Sequence, residues 1–263
     1  MQIKCHIHLS VRKNRWRMVI TSLVAKGKNK IICDDVALIK DMILCEEGLT
    51  TEIDNNGCIA IADGVGGNAG GHDASQFLLN FIKDKWTSNL NELETLEMLK
   101  DANLELIHYS DEIPEKSNMA TTFTGLFYKD GIPLIAHVGN TRLYALQGSY
   151  LKQLTSDHTT YQWHMMHGNY YEADKCNKSE IISCFGGASK ELLKMLYVEN
   201  VFAEYVPEVL VLTSDGIHDY VDIDTMESII CADLPMKKRV QKLWVQAVEN
   251  GSLDDCSIIV VEK

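Results

Sequence analysis

Several of the chain's apolar β-type runs are joined by connections too short to hold a helix, and this decides how those strands pair. Runs at 121–128 and 133–138 meet across Lys129, Asp130 and Gly131, the next connection is Gly139 and Asn140, and the runs at 142–146 and 150–154 meet across Gln147 and Gly148. A parallel crossover needs a dozen residues or more, so these strands form an antiparallel meander. Further runs rich in Val, Ile, Tyr and Phe lie at 18–23, 36–39, 58–62, 198–205, 209–213 and 256–261.

Helical periodicity is confined to a few places. Phe77, Leu78, Phe81, Ile82 and Lys85 share a stripe over 73–86, and Leu96, Leu99, Asn103, Leu106 and Ile107 share one over 93–108. A third helix is expected over 236–249, after Pro235 and before Asn250-Gly251. Strands in runs and helices in a consecutive pair predict an α+β chain, not an alternating α/β one. No Pro-, Gly- or Ser-rich stretch divides the 263 residues, so residues 1–263 are expected to form one domain.

Composition narrows the partners. Lys and Arg number 25 against 37 Asp and Glu, a formal charge of −12, which argues against nucleic acid and against an anionic membrane surface. Cysteines at 5, 33, 45, 58, 176, 184, 231 and 256 include no C-x-x-C pair, so they read as reduced thiols. The first twenty residues scatter Lys, Arg and His among apolar positions, giving neither a signal-peptide core nor a membrane span, and a cytoplasmic location is expected.

Residues 58–71 are the most informative: an apolar run ends in Asp63-Gly64 and enters a turn with glycines at 66, 67, 70 and 71. Three readings fit. An Asp-Gly turn is the plainest. Gly64, Gly66 and Ala69 also match a dinucleotide fingerprint with Asp84 as the ribose acid, but that motif needs a βαβ unit, and here a second helix follows the first. The third makes Asp63 a metal ligand, with glycines leaving room for a hydrated cation and a phosphate.

Other acids stand at comparable strand ends. Asp215-Gly216 follows the run at 209–213, Asp254-Asp255 precedes the run at 256–261, and Asp34-Asp35 precedes the run at 36–39. Such a cluster repels itself unless cations neutralise it, and hard ions such as Mg²⁺ or Mn²⁺ suit oxygen ligands.

In order, these segments resemble the PPM (protein phosphatase 2C) family of metal-dependent serine/threonine phosphatases over nearly the whole chain. The family's opening motif, a Gly, an Arg three residues on, then Asn-Glu-Asp, is matched in spacing by Gly27, Lys30, Cys33, Asp34 and Asp35. D-G-x-G-G is met by Asp63 through Gly67, the T-T strand by Thr121 and Thr122, and G-D-S-R by Gly139, Asn140, Thr141 and Arg142. S-D-G is met by Ser214, Asp215 and Gly216, and the Asp-Asn before the last strand by Asp254 and Asp255.

The resemblance implies an antiparallel β-sandwich flanked by helix pairs, an αββα arrangement, with metals at one end. It implies hydrolysis of phosphoserine and phosphothreonine in proteins by a hydroxide bridging two Mn²⁺ or Mg²⁺ ions. By the same resemblance Asp35, Asp63, the Gly64 carbonyl, Asp215 and Asp254 hold the metals, and Lys30 takes the place of the phosphate-binding Arg, as a point charge without a bidentate fork. Val65 stands where many eukaryotic members have His, as bacterial-type members often show. Asn140 replaces the Asp associated with a third, weaker metal, so that site is expected to be impaired.

Residues 159–184, with Tyr161, Trp163, Tyr170, Tyr171 and two histidines but little periodicity, resemble the family's variable flap, expected to contact the phosphorylated protein substrate. A zinc site at His164 and His167 ranks below a surface loop, and His218 reads as packed or solvated. Two rival functions stay open: a catalytically weak or inactive phosphatase-like module binding a phosphorylated partner, and a hydrolase of small phosphorylated metabolites.

Overall fold

A strand buried on both faces needs a layer packed on each, and the apolar runs of this chain encode that arrangement. The structure, a computed structural model, describes residues 17–65, 70–116, 118–202 and 205–263. Its strands are β1 (Met18–Ala25), β2 (Asp35–Ile39), β3 (Met42–Leu44), β4 (Gly48–Ile53), β5 (Gly57–Asp63), β6 (Ala120–Thr121), β7 (Phe123–Lys129), β8 (Ile132–Val138), β9 (Arg142–Gln147), β10 (Tyr150–Gln153), β11 (Phe185–Gly186), β12 (Tyr197–Glu199), β13 (Val209–Thr213) and β14 (Cys256–Glu262). Its helices are α1 (Gly71–Lys85), α2 (Glu92–Asp111), α3 (Thr160–Met166), α4 (Tyr170–Ala173), α5 (Asp215–His218), α6 (Ile223–Ile230) and α7 (Met236–Glu249).

Two six-stranded sheets form, one in the order β10-β9-β13-β14-β1-β4 and the other β12-β8-β7-β5-β2-β3, while β6 and β11 pair separately. The pairings between these strands are antiparallel. In β5, Ile59 and Ile61 point into the layer between the sheets, with Ala37 and Ile39 of β2 and Ile259 and Val261 of β14. The alternate residues Cys58, Ala60 and Ala62 face α1 and α2, packing with Leu78, Leu79, Leu99 and Leu106. On the opposite outer face Ile258 and Val260 of β14 pack with Met226, Ile230, Val240 and Leu243 of α6 and α7. The period-two alternation of strands and the apolar stripes of helices therefore build four layers, an αββα sandwich.

Some expectations are refined. The run at 121–128 is two strands, broken where the Thr122 N–H leaves the ladder to donate to the Asp63 carbonyl at 2.9 Å. The run at 198–205 gives only β12, and residues 203 and 204 lie outside the described residues. Strands β3 and β4, at sheet edges, went unread because partly exposed positions such as Met42, Thr50 and Glu52 dilute their apolar signal. The loop expected at 159–184 contains α3 and α4. Thr159 caps α3 by accepting the Gln162 N–H at 3.2 Å, and Gly168 at φ 71° permits the turn between them. The N-terminal stretch read for targeting lies largely outside the described residues, as do Gly66 and Gly67. Among the described residues no helix is long and apolar enough to cross a membrane.

Candidate active site

Register brings the first two carboxylates together: Asp35 opens β2 directly opposite Asp63, the last residue of β5. The chain after Asp63 then presses on the start of α1, where a Cβ on Gly64 would lie 2.5 Å from the Gly71 backbone, so only glycine fits. Asp215 comes from the other sheet, as the first residue of α5 directly after β13 and Ser214. Ser214 Oγ donates to Asp35 Oδ2 at 2.8 Å and accepts the Ser257 N–H at 2.8 Å, tying the two sheets at this end. Asn140, buried in the turn after β8, donates through Nδ2 to Asp215 Oδ2 at 2.9 Å.

Lys30 and Asp254 lie beside this group. Lys30 Nζ is 2.6 Å from Asp254 Oδ1, 2.9 Å from Asp255 Oδ2 and 3.4 Å from Asp34 Oδ2. Asp34 Oδ1 accepts the backbone N–H of His72 at 2.9 Å, in the first turn of α1. Arg142 of the G-N-T-R segment forks onto Asp157 with contacts of 2.6 to 3.1 Å, which anchors the base of the segment leading to α3.

The acids are electrostatically crowded. Burial, then the charge of Asp255, pushes the Asp35 carboxyl up to about 7. Burial, then Asp254, pushes Asp215 up to about 6. Asp63 is driven well above the carboxylate range by burial and by Asp35, Asp215 and Asp254. Burial opposes the charge on Lys30, but hydrogen bonds and attraction from Asp254 and Asp255 outweigh it and hold the ammonium charged.

Among the described residues no three His, Cys, Asp or Glu side chains are drawn around one point as a bound metal would draw them. The donor set nevertheless suits a hard divalent cation. Asp35 Oδ1 is buried with no hydrogen-bond partner among the described residues, and Asp35, Asp63 and Asp215 each raise or share in a repulsion that a cation would relieve.

No family model matches the chain. The serine/threonine phosphatase stp of Listeria monocytogenes serotype 4b is 26% identical over 227 residues, which span 82% of this chain and 88% of the relative. The chain is a homologue of the bacterial serine/threonine phosphatases. The solved structure of Stp1 from Staphylococcus aureus superposes with a TM-score of 0.75 at 24% identity, covering 93% of this chain and 94% of Stp1. The catalytic domain of PstP, solved in complex with 2 manganese ions, gives a TM-score of 0.71 at 18% identity, covering 94% and 99%. The fold is that of the PPM-type phosphatases.

In this phosphatase homologue the structure brings Lys30, Asp35, Asp63, Asp215 and Asp254 to one end of the sandwich, with Gly64 adjoining. Sequence reading missed Ser214 as the link between sheets and His72 as a neighbour whose ring Nδ1 lies 2.7 Å from the Cys33 carbonyl. His72 follows two glycines at a helix start, a signal that was available. His218 is packed: its Nδ1 bonds the Thr213 hydroxyl at 2.8 Å. His167 Nδ1 lies 2.7 Å from the Trp163 carbonyl and its ring stacks on Trp163 at 4.3 Å.

Proposed function

We propose that this chain is a metal-dependent phosphatase that hydrolyses phosphoserine and phosphothreonine in proteins, using two divalent cations, Mn²⁺ or Mg²⁺. The observation that carries the reading is the meeting of Asp35 and Asp63 from one sheet with Asp215 from the other, beside Lys30 and Asp254. The names of its relatives support the reaction class.

In this reading Asp35, Asp63, Asp215, Asp254 and the Gly64 carbonyl hold the cations. When bound, the cations supply charge neutralisation at the phosphoryl group and lower the pKa of an attacking water. Lys30 attracts the phosphate oxygens, its ammonium kept charged by Asp254 and Asp255. Ser214 fixes the rotamer of Asp35, and Asn140 that of Asp215. Because the Asn140 amide brings no charge, a third cation at this position is held weakly.

The reading takes residues 1–263 as one unit, with 159–184 as a flap. An open groove there, lined by Thr160, Trp163, His164, Ile182, Lys194 and Met195, supports contact with a protein substrate. A cytoplasmic location agrees with the free state of Cys33, Cys45, Cys58, Cys176, Cys184, Cys231 and Cys256.

The test is hydrolysis of p-nitrophenyl phosphate and of a phosphothreonine peptide by the purified chain as Mn²⁺ is titrated. Mn²⁺-dependent release of phosphate from both is expected. Failure to hydrolyse either would remove the enzyme reading.

A further inference from the structure

Asp255 precedes β14 and is almost fully buried, yet its carboxylate accepts three hydrogen bonds that all lead to one loop. Its Oδ1 accepts the Gly27 N–H at 2.7 Å, and its Oδ2 accepts the Asp34 N–H at 2.6 Å and the Lys30 ammonium at 2.9 Å. One carboxylate therefore grips both ends of the segment 27–34 and the lysine in its middle. Within that segment the Lys30 N–H donates to the Gly27 carbonyl at 3.3 Å, which folds the loop toward the grip.

Asp255 is itself held firmly. Its carbonyl oxygen lies so close to Gly216 that a Cβ there would be 1.9 Å away, so the backbone of Asp255 is wedged against the start of α5, the helix that opens with Asp215. Position and charge are thus transmitted from β14 through Asp255 to Lys30. Both residues also depart from the motifs quoted above, Lys for Arg and Asp for Asn, and the two departures touch.

We infer that Asp255 is the positioning residue for the Lys30 ammonium, so that residues 30 and 255 act as one phosphate-directing unit whose lysine is aimed by a buried counter-charge. The inference rests on the phosphatase reading for the use made of Lys30. Its physical basis is that a lysine has a flexible stem and three rotatable donors, so a single fixed direction must come from its partners. The Asp254 carboxylate, which also contacts Lys30, is far more exposed than that of Asp255 and, among the described residues, accepts one further hydrogen bond, from the Asp255 N–H. The buried acid, with both oxygens committed, is the one that fixes the direction.

A double-mutant cycle on the full chain tests this, with native protein, Lys30→Met, Asp255→Asn and the double variant. KM and kcat are measured on a phosphothreonine peptide at saturating Mn²⁺, and Tm on metal-free protein. Asp255→Asn should raise KM roughly tenfold with a smaller change in kcat. In the Lys30→Met background it should change KM little, because the group it directs is gone. In Tm, Lys30→Met should lower the value by stranding a buried carboxylate, and the double variant should regain part of that loss. Additive effects on KM and on Tm would overturn the inference, since a merely structural acid would act equally in both backgrounds.

Should Asp255→Asn not fold, Asp255→Glu keeps the charge and moves it by one methylene. It should raise KM, and an unchanged KM would overturn the proposal. If the native chain hydrolyses no phosphoester, the phosphatase reading falls, while the Tm cycle still reports whether Asp255 holds Lys30.

Discussion

Asn140 reaches across from the β8–β9 turn to donate its amide to Asp215 Oδ2 at 2.9 Å, so a neutral group flanks the cluster of acids. Burial and Asp254 already push the Asp215 carboxyl up, and the Asn140 hydrogen bond works against that rise. Asn140→Asp replaces the donor by a second charge. It should lower the Mn²⁺ concentration needed for half-maximal turnover by about tenfold, equivalent to ~1.4 kcal/mol. Without metal the same variant should melt at a lower temperature than native protein at pH 8. An unchanged metal dependence would remove Asn140 from the cation site.

Asp63→Asn and Asp215→Asn keep shape but take away charge. Each should reduce turnover at least about a hundredfold, roughly 3 kcal/mol, with weaker Mn²⁺ binding by calorimetry. Metal-free folding should survive, since a repelling charge has gone. Near-normal activity of Asp63→Asn at low Mn²⁺ would exclude Asp63 as a ligand.

The raised Asp35 carboxyl gives a pH signature. Its folded value, about 7, lies above the ordinary 3.8, so the native state binds more protons between these limits. Stability from this group is therefore full below about pH 4 and is lost as pH rises through about 7. Metal-free Asp35→Asn should match or fall below native protein near pH 4, where it lacks only the Ser214 bond geometry. It should gain on native protein by on the order of 2 kcal/mol by pH 8. Denaturant midpoints measured across this range check it, and parallel stability curves for the two proteins would contradict the assignment.

Gly216→Ala should be among the most damaging single methyl additions. The new Cβ would meet the Asp255 carbonyl oxygen at 1.9 Å, and neither backbone can move without shifting α5 or β14. A loss of roughly 3 kcal/mol or more is expected from overpacking. Gly148→Ala, where none of the described residues would lie within 4 Å of the new Cβ and the φ of 64° is unfavourable, should lose about 1–2 kcal/mol. Urea unfolding of the two variants side by side distinguishes contact from conformation.

Much of this was legible in the sequence. The meander from β7 to β10 followed from three short turns, and the strand-end acids Asp35, Asp63, Asp215 and Asp254 stood out because each interrupts or borders an apolar run. What escaped depends on distance in space. Asp255 looked like half of a local pair, but its partners, Gly27, Lys30 and Asp34, are more than two hundred residues away. The helix α6 was unread because its eight residues offer little more than two turns of periodicity, and α3 and α4 because caps at Thr159 and a turn at Gly168, not apolar stripes, define them.

Ser214 has a consequence for how the molecule comes apart. The layer between the sheets is held by apolar side chains such as Ile59, Leu212 and Ile259, whose attraction has no direction and tolerates small sliding. At the Ser214 end a hydroxyl bonded to both Asp35 and Ser257 pins one sheet to the other at a fixed offset. Shear between the sheets must therefore pivot about this corner, so breathing has its largest amplitude at the opposite end. Amide protons on the far termini of the same strands should exchange with solvent sooner than those beside Ser214, even within a single β-strand.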